Sequence, residues 1–250
     1  MRLTSRLLMA SSIGATGTNW EGMWNQGLAP GQKFDAAKPE LALSALIPGS
    51  GVTGLQASGA PLSLAGKRVL VPGCGRGYAV EALARGGALS VEGLEVAPTA
   101  AEAAREYISG ALKDGSFTNW SVKDGDFFAL SVAEPFDVVY DCTFLCAIEP
   151  ELRRAWAAKM AEIIKPGGEL LVLVFPVRES LEGAGGDPGD ELLSNPGSGP
   201  PFSMSPLLAQ RLLLPPAGQF SLASCEKVPS QLLTRGHICT GEYIARFVRN

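Results

Sequence analysis

The chain has 250 residues, 46% hydrophobic and 18% charged, which suits one globular domain with a sizeable core. A net charge of -4 gives no basic field to attract a phosphate backbone, so nucleic acid is not expected as a partner. The longest apolar run, Leu170 to Val177, holds eight residues against the roughly 20 that cross a bilayer, so no membrane span is expected either.

Residues 1–18 contain Arg2 and Arg6 and no acid, the composition of a flexible start or of a short organelle transit segment. The cytoplasm is the expected location, with an organelle as the alternative. Residues 19–250 read as one domain. After a Gly/Ser-rich stretch at 49–59, Lys67 to Pro72 is a short apolar run suited to a strand buried on both faces. Tyr78 to Arg85 reads as a helix, Ser90 to Val96 as a second strand, and an alanine-rich helix follows Pro98. Asn119 to Lys123 and Phe136 to Tyr140 are the next strands. Pro150 opens a helix whose Leu152, Trp156, Met160, Ile163 and Ile164 form one apolar stripe, and Lys165 to Gly168 is expected to end it. Glu169 to Phe175 is a fifth strand. Residues 182–201, with six glycines and four prolines, are a lid or an irregular insert. Ser205 then caps a helix from Pro206 to about Leu214, and strands near Gln219 to Glu226 and Gly241 to Val248 follow. Helices alternating with buried strands predict an α/β fold, a mostly parallel seven-stranded sheet with helices on both faces.

Five cysteines without a Cys-x-x-Cys pair, beside a single histidine, argue against a disulfide framework and against a His/Cys metal site. Cys74, Cys142 and Cys146 read as small buried residues rather than nucleophiles, and His237 as a surface or core histidine.

The strand, glycine loop and helix between Val69 and Ala84 place bare backbone at the carboxyl end of the first strand, where open parallel sheets bind ligands. Gly73 and Gly75 let a ligand approach the amides, and a helix start offers unpaired N–H groups. Glu95 ends the second strand twenty residues after Gly75, where a carboxylate can accept from both ribose hydroxyls. A nucleoside cofactor follows. A dinucleotide fingerprint would place its third glycine at position 78, which is Tyr78; Gly73, Gly75 and Gly77 alternate instead as in S-adenosylmethionine enzymes. After the third strand, Asp126 could accept from an adenine amino group and Phe127 could stack on the base.

These stretches resemble the thiopurine S-methyltransferase-like enzymes, and among them the plant-type thiol and halide methyltransferases called harmless to ozone layer proteins. The resemblance rests on Trp20-Glu21-Gly22-Met23-Trp24 with Gly27-Leu28-Ala29-Pro30, and on Val71 to Tyr78. It continues through Asp126-Phe127-Phe128, Phe136-Asp137, Thr143 to Pro150, and Trp156 to Met160, covering about residues 19 to 176. It implies a class I S-adenosylmethionine-dependent methyltransferase, Rossmann-like in fold, with S-adenosyl-L-methionine as cofactor. Trp20 and Trp24 would cover the methionine end, with aromatic faces toward the sulfonium. Glu95 would bind the ribose, and Asp126 and Phe127 the adenine. Two positions depart from the family pattern: Phe34 stands where the family has a tryptophan, and Cys142, between Asp141 and Thr143, where it has a tyrosine. Both line the cofactor or acceptor region in the family. Asp141 is the candidate for shaping the acceptor site, and the 182–201 loop would lie over it.

The expected reaction is in-line methyl transfer to a small thiol such as hydrosulfide or methanethiol, with a halide or a thiopurine-type thiol as alternative acceptors. A monomer is expected. From other classes, a nicotinamide-dependent reductase and a non-catalytic cofactor-binding protein stay open, Tyr78 speaking against the first.

Overall fold

The computed structural model describes residues 18–55, 61–177, 199–235 and 241–250. The N-terminal 17 residues, His237 and residues 182–198 of the Gly/Pro-rich loop lie outside that range.

In chain order the elements are α1 (Trp20–Trp24), α2 (Leu41–Leu46), β1 (Arg68–Pro72), α3 (Tyr78–Arg85), β2 (Ser90–Glu95), α4 (Pro98–Ala111), β3 (Trp120–Asp124) and β4 (Phe136–Cys142). They continue with α5 (Arg153–Ile163), β5 (Ile164–Val174), α6 (Pro206–Leu213), β6 (Phe220–Lys227) and β7 (Tyr243–Arg249). Seven strands form one sheet in the order β3-β2-β1-β4-β5-β7-β6, parallel from β3 to β5. β7 runs antiparallel to both β5 and β6. This is the expected mostly parallel α/β sheet.

The central strands are apolar because both faces are covered: Val69, Leu70 and Val71 of β1 and Leu170 to Val174 of β5 are all buried. Each such side chain stabilises the fold by about 1.5–3 kcal/mol relative to exposure. Across the sheet faces, α4 buries Ala100, Ala101, Ala104 and Ile108, and the small side chains allow close approach. Gly77 exploits it. It has φ +82, and a Cβ there would stand 2.7 Å from Ile108 Cδ1 and 3.2 Å from Ala104 Cβ, so only a bare backbone lets α3 start this near α4.

Two expected boundaries differ. The helix expected from Pro150 begins with a 3-10 turn, Pro150–Leu152, before α5 proper. Lys165 to Gly168, expected as a helix stop, is a bulge inside β5: Phe136 pairs with Ile164, and the register resumes at Val138 with Glu169. Pro166 cannot donate to a ladder, Gly167 has φ +76, and Lys165 pairs with Asp137, so the extra residues loop out without ending the strand. The Ser205 cap stands as expected, its Oγ accepting from Leu208 N at 3.1 Å. Among the described residues no helix is long and apolar enough to cross a membrane.

Candidate active site

Strand order reverses between β1 and β4, so the loops leaving their carboxyl ends diverge and open a crevice. A cavity of about 570 Å³ lies there, in the size range of small-molecule sites. Its walls come from the loops after β1, β2, β3 and β4, from residues 18–40, and from Phe175 and Arg235.

At one end the backbone is bare. Gly73 (φ +56) and Gly75 (φ +53) line the cavity, and a Cβ on Gly73 would stand 2.6 Å from Phe144 Cδ2. Gly75 has space around it, so it is the left-handed conformation that demands glycine there. Gly77, grouped with them on sequence grounds, does not line the cavity; its glycine serves the α3–α4 contact. Glu95 is buried at the cavity wall, with Oε2 accepting from Gly75 N (2.9 Å) and Oε1 from Val96 N (2.9 Å) and Ala97 N (3.1 Å). A carboxylate has about four acceptor positions. Three are taken by these amides, which leaves one open for a ribose hydroxyl. Burial raises the Glu95 pKa above its ordinary value while the three amides oppose the rise. Asp126 lines the same end and caps the 3-10 turn Phe127–Ala129, accepting from Phe128 N at 2.9 Å. Phe127 is buried beside it, with edge-on contacts to Phe128 and Phe144. Backbone without side chains, one open carboxylate position and an aromatic ring fit an adenosyl group.

Residues 18–40 form the cover. Asn19 caps α1 by accepting from Gly22 N at 2.8 Å, and Glu21 takes both Thr99 N (3.1 Å) and Thr99 Oγ1 (2.6 Å), tying the helix to the start of α4. Trp20, Trp24 and Phe34 all line the cavity, with Phe34 edge-on to Trp20 at 5.6 Å and to Trp24 at 5.9 Å. The Arg76 guanidinium lies 5.2 Å over Trp24, so that ring already has a cation; among the described residues none covers Trp20 or Phe34. Sequence reasoning missed what holds this cover down. The Asp35 carboxylate accepts from Arg76 Nε (2.7 Å), Tyr78 Oη (2.9 Å), Gly31 N (3.1 Å) and Ala37 N (2.8 Å), and Arg76 Nη2 also reaches Leu28 O (2.6 Å). Burial alone would raise the Asp35 pKa, but these donors outweigh it and the net shift is downward. The same contact raises the Tyr78 pKa, after burial.

At the other end stand Cys142, Phe144, Cys146, Ile148, Phe175, Glu40 and Arg235. Asp141, expected to shape the acceptor site, is fully buried and does not line the cavity. Its Oδ1 accepts from Phe144 N and Leu145 N, both at 3.0 Å, and its Oδ2 from Trp156 Nε1 at 2.9 Å. It holds the loop after β4, including Thr143, a β-branched residue at φ +61 that persists only where its surroundings over-determine it. Asp141 is therefore a positioning residue. Burial raises its carboxyl to about 6 against those three donors. Burial likewise pushes the Cys146 thiol up to about 12 and raises Cys74 and Cys142 well above the ordinary thiol value. Raised thiols are weak nucleophiles; of the three, Cys146 is buried as expected, while Cys74 and Cys142 are only partly so. Glu40 and Arg235 were also missed. They pair at 2.8 Å across the end of the cavity, and residues so far apart in the chain carry no local signal of their meeting. Among the described residues no cluster of His, Cys, Asp and Glu could hold a metal.

Comparison with known proteins agrees with this geometry. A family model described as thiopurine S-methyltransferase matches residues 56–188. "Probable thiol methyltransferase 2" of Arabidopsis thaliana is 34% identical over 213 residues, covering 85% of this chain and 77% of the relative. "Thiocyanate methyltransferase 1" of Brassica oleracea is 32% identical over 216 residues, with 86% and 79% covered. Among solved structures, the N-methyltransferase NodS of Bradyrhizobium japonicum in complex with S-adenosylhomocysteine superposes with TM-score 0.60 at 17% identity, covering 92% of this chain and 97% of that one. Magnesium protoporphyrin IX methyltransferase of Synechocystis, with bound S-adenosylmethionine, gives 0.58 at 15% identity, with 98% and 97% covered. At such identities the structures speak for the fold and the sequence relatives for the lineage: the chain is a methyltransferase of class I fold and belongs to the thiopurine S-methyltransferase family.

Proposed function

We propose that the protein is an S-adenosylmethionine-dependent methyltransferase of small thiols. The observation that carries this reading is the pairing, within one cavity, of an adenosyl-sized cradle with an acceptor end walled by Cys142, Phe144, Cys146, Ile148 and Phe175. Soft, polarizable walls suit a sulfur nucleophile better than an oxygen one. The names of the relatives, thiol and thiocyanate methyltransferases among them, support the same class.

When bound, S-adenosylmethionine supplies an electrophilic methyl carbon on a sulfonium. Gly73 and Gly75 let the cofactor approach the backbone closely, Glu95 accepts from a ribose hydroxyl, and Asp126 and Phe127 bound the adenine. Trp20 and Phe34 line the cavity and supply aromatic surface beside the sulfonium charge. The residues 18–40 exclude water above the site, and the Asp141-held loop fixes Phe144 at the boundary between cradle and acceptor end. Holding nucleophile and methyl in line can supply about 7–11 kcal/mol of barrier lowering. Thiol sulfur is intrinsically a strong nucleophile, so positioning carries more of the rate than proton transfer.

The test is headspace gas chromatography of purified protein with S-adenosylmethionine and, in separate vials, methanethiol, hydrosulfide and iodide, with a thiopurine followed by liquid chromatography. Dimethyl sulfide from methanethiol is expected. Methyl iodide or a methylated thiopurine without any methylated small thiol overturns the acceptor class.

A further inference from the structure

We infer that the Glu40–Arg235 pair at the acceptor end makes the site select a protonated small thiol over a preformed anion such as thiocyanate or iodide. This rests on the thiol reading above and names the residues that decide its acceptor's charge state.

Both side chains line the cavity and both are buried, Glu40 at 4% and Arg235 at 8% side-chain exposure. Both are also anchored. Leu41 N donates to Thr234 Oγ1 at 3.0 Å, Arg235 N donates to Glu242 Oε1 at 3.1 Å, and the guanidinium sits 5.6 Å over Phe175. The pair thus joins residues 18–40 to the segment before β7 and cannot swing into water. Nη1 lies 2.8 Å from Glu40 Oε1, and because it carries two N–H groups it keeps donor capacity beside that pair. Glu40 pairs with Arg235 through Oε1, and a carboxylate has about four acceptor positions, so others stay available.

A thiol matches both features, since its sulfur can accept from Nη1 while its S–H donates to the Glu40 carboxylate. An anion finds a cation whose charge Glu40 already balances, and must shed its water to reach it. In the reaction the thiol sulfur's electron pair forms the new bond to the methyl carbon. The bond from that carbon to the donor sulfur breaks with its electrons left on S-adenosylhomocysteine. The thiol proton passes to the Glu40 carboxylate and is released when the products leave and solvent enters the cavity.

The experiment compares wild type with Glu40→Gln, measuring kcat/KM for methanethiol and for thiocyanate, with calorimetric titration of thiocyanate into each protein without methyl donor. In Glu40→Gln the thiocyanate-to-methanethiol ratio of kcat/KM rises at least tenfold and thiocyanate binds about tenfold tighter; Glu40→Asp retains the wild-type preference. A ratio and a Kd within twofold of wild type, in a variant with unchanged Tm, overturn the inference. If Glu40→Gln does not fold, Arg235→Gln serves: its thiocyanate affinity falls, and an unchanged or tighter Kd overturns the inference. Wild type that methylates no thiol defeats the thiol reading alone, because the calorimetric arm still judges the pair.

Discussion

Asp141→Asn gives a sharp test of how the acceptor loop is held. The wild-type carboxyl is buried, takes three N–H donors and has a pKa raised by burial to about 6 from the ordinary 3.8. A raised carboxyl binds its proton more tightly in the folded than in the unfolded chain. Its contribution is therefore complete below pH 3.8 and is lost as pH rises through 6. At about 1.4 kcal/mol per pH unit between the two values, that is about 3 kcal/mol in all, with about 2 kcal/mol of it falling between pH 4.5 and 7. Asparagine does not titrate, and one of its N–H groups must face Phe144 N and Leu145 N or Trp156 Nε1, leaving a buried donor unpaired at a cost of about 1–3 kcal/mol. The variant is thus less stable than wild type near pH 4.5, and the gap closes by about 2 kcal/mol at pH 7. Urea unfolding followed by tryptophan fluorescence, run on both proteins across that range, reads the difference directly. Taking the difference also cancels Asp35 and Asp137, whose pKa values are lowered and whose contributions run the other way with pH. A gap that widens toward pH 7 would mean that the three hydrogen bonds outweigh desolvation, and would refute the reasoning.

Glu95→Ala removes the acceptor shared by Gly75 N, Val96 N and Ala97 N and the open position beside them. With hydrogen bonds to a charged group worth about 1.5–3 kcal/mol, the Kd for S-adenosylmethionine rises roughly 10- to 150-fold by calorimetry; an unchanged Kd removes Glu95 from the site. Asp35→Asn leaves Arg76 without its carboxylate partner at a site where the Asp35 side chain is 1% exposed, a loss of about 3 kcal/mol. Because the site holds residues 18–40 over the cavity, limited proteolysis should cut within them faster while the sheet stays intact; an unaltered cleavage pattern would show that the cover is held elsewhere.

Much of the fold is legible locally. Tyr78 to Arg85 is a helix because a left-handed glycine precedes it and its apolar residues recur on one face; β1 and the Leu170 to Val174 half of β5 are strands because nearly every residue there is buried on a covered face. Period, glycine and proline are properties of neighbours in the chain, so they read out without tertiary knowledge. The glycine loop, Glu95 and the Asp126-Phe127 turn share that property, each sitting at the end of a strand whose place the pattern announces. The Lys165 to Gly168 bulge escaped because Asp137 on the adjacent strand, and not the local sequence, decides whether those residues turn or loop out.

Family membership, too, was written in short motifs from Trp20 to Met160. Tertiary structure decided the roles. It moved Gly77 from the cavity to a helix contact and placed Asp141 beneath the loop after β4, outside the cavity wall. It joined Asp35 to Arg76 and Tyr78, and set Glu40 against Arg235. A charged side chain's role depends on which partner desolvates with it, and those partners lie on segments that only the folded sheet brings together.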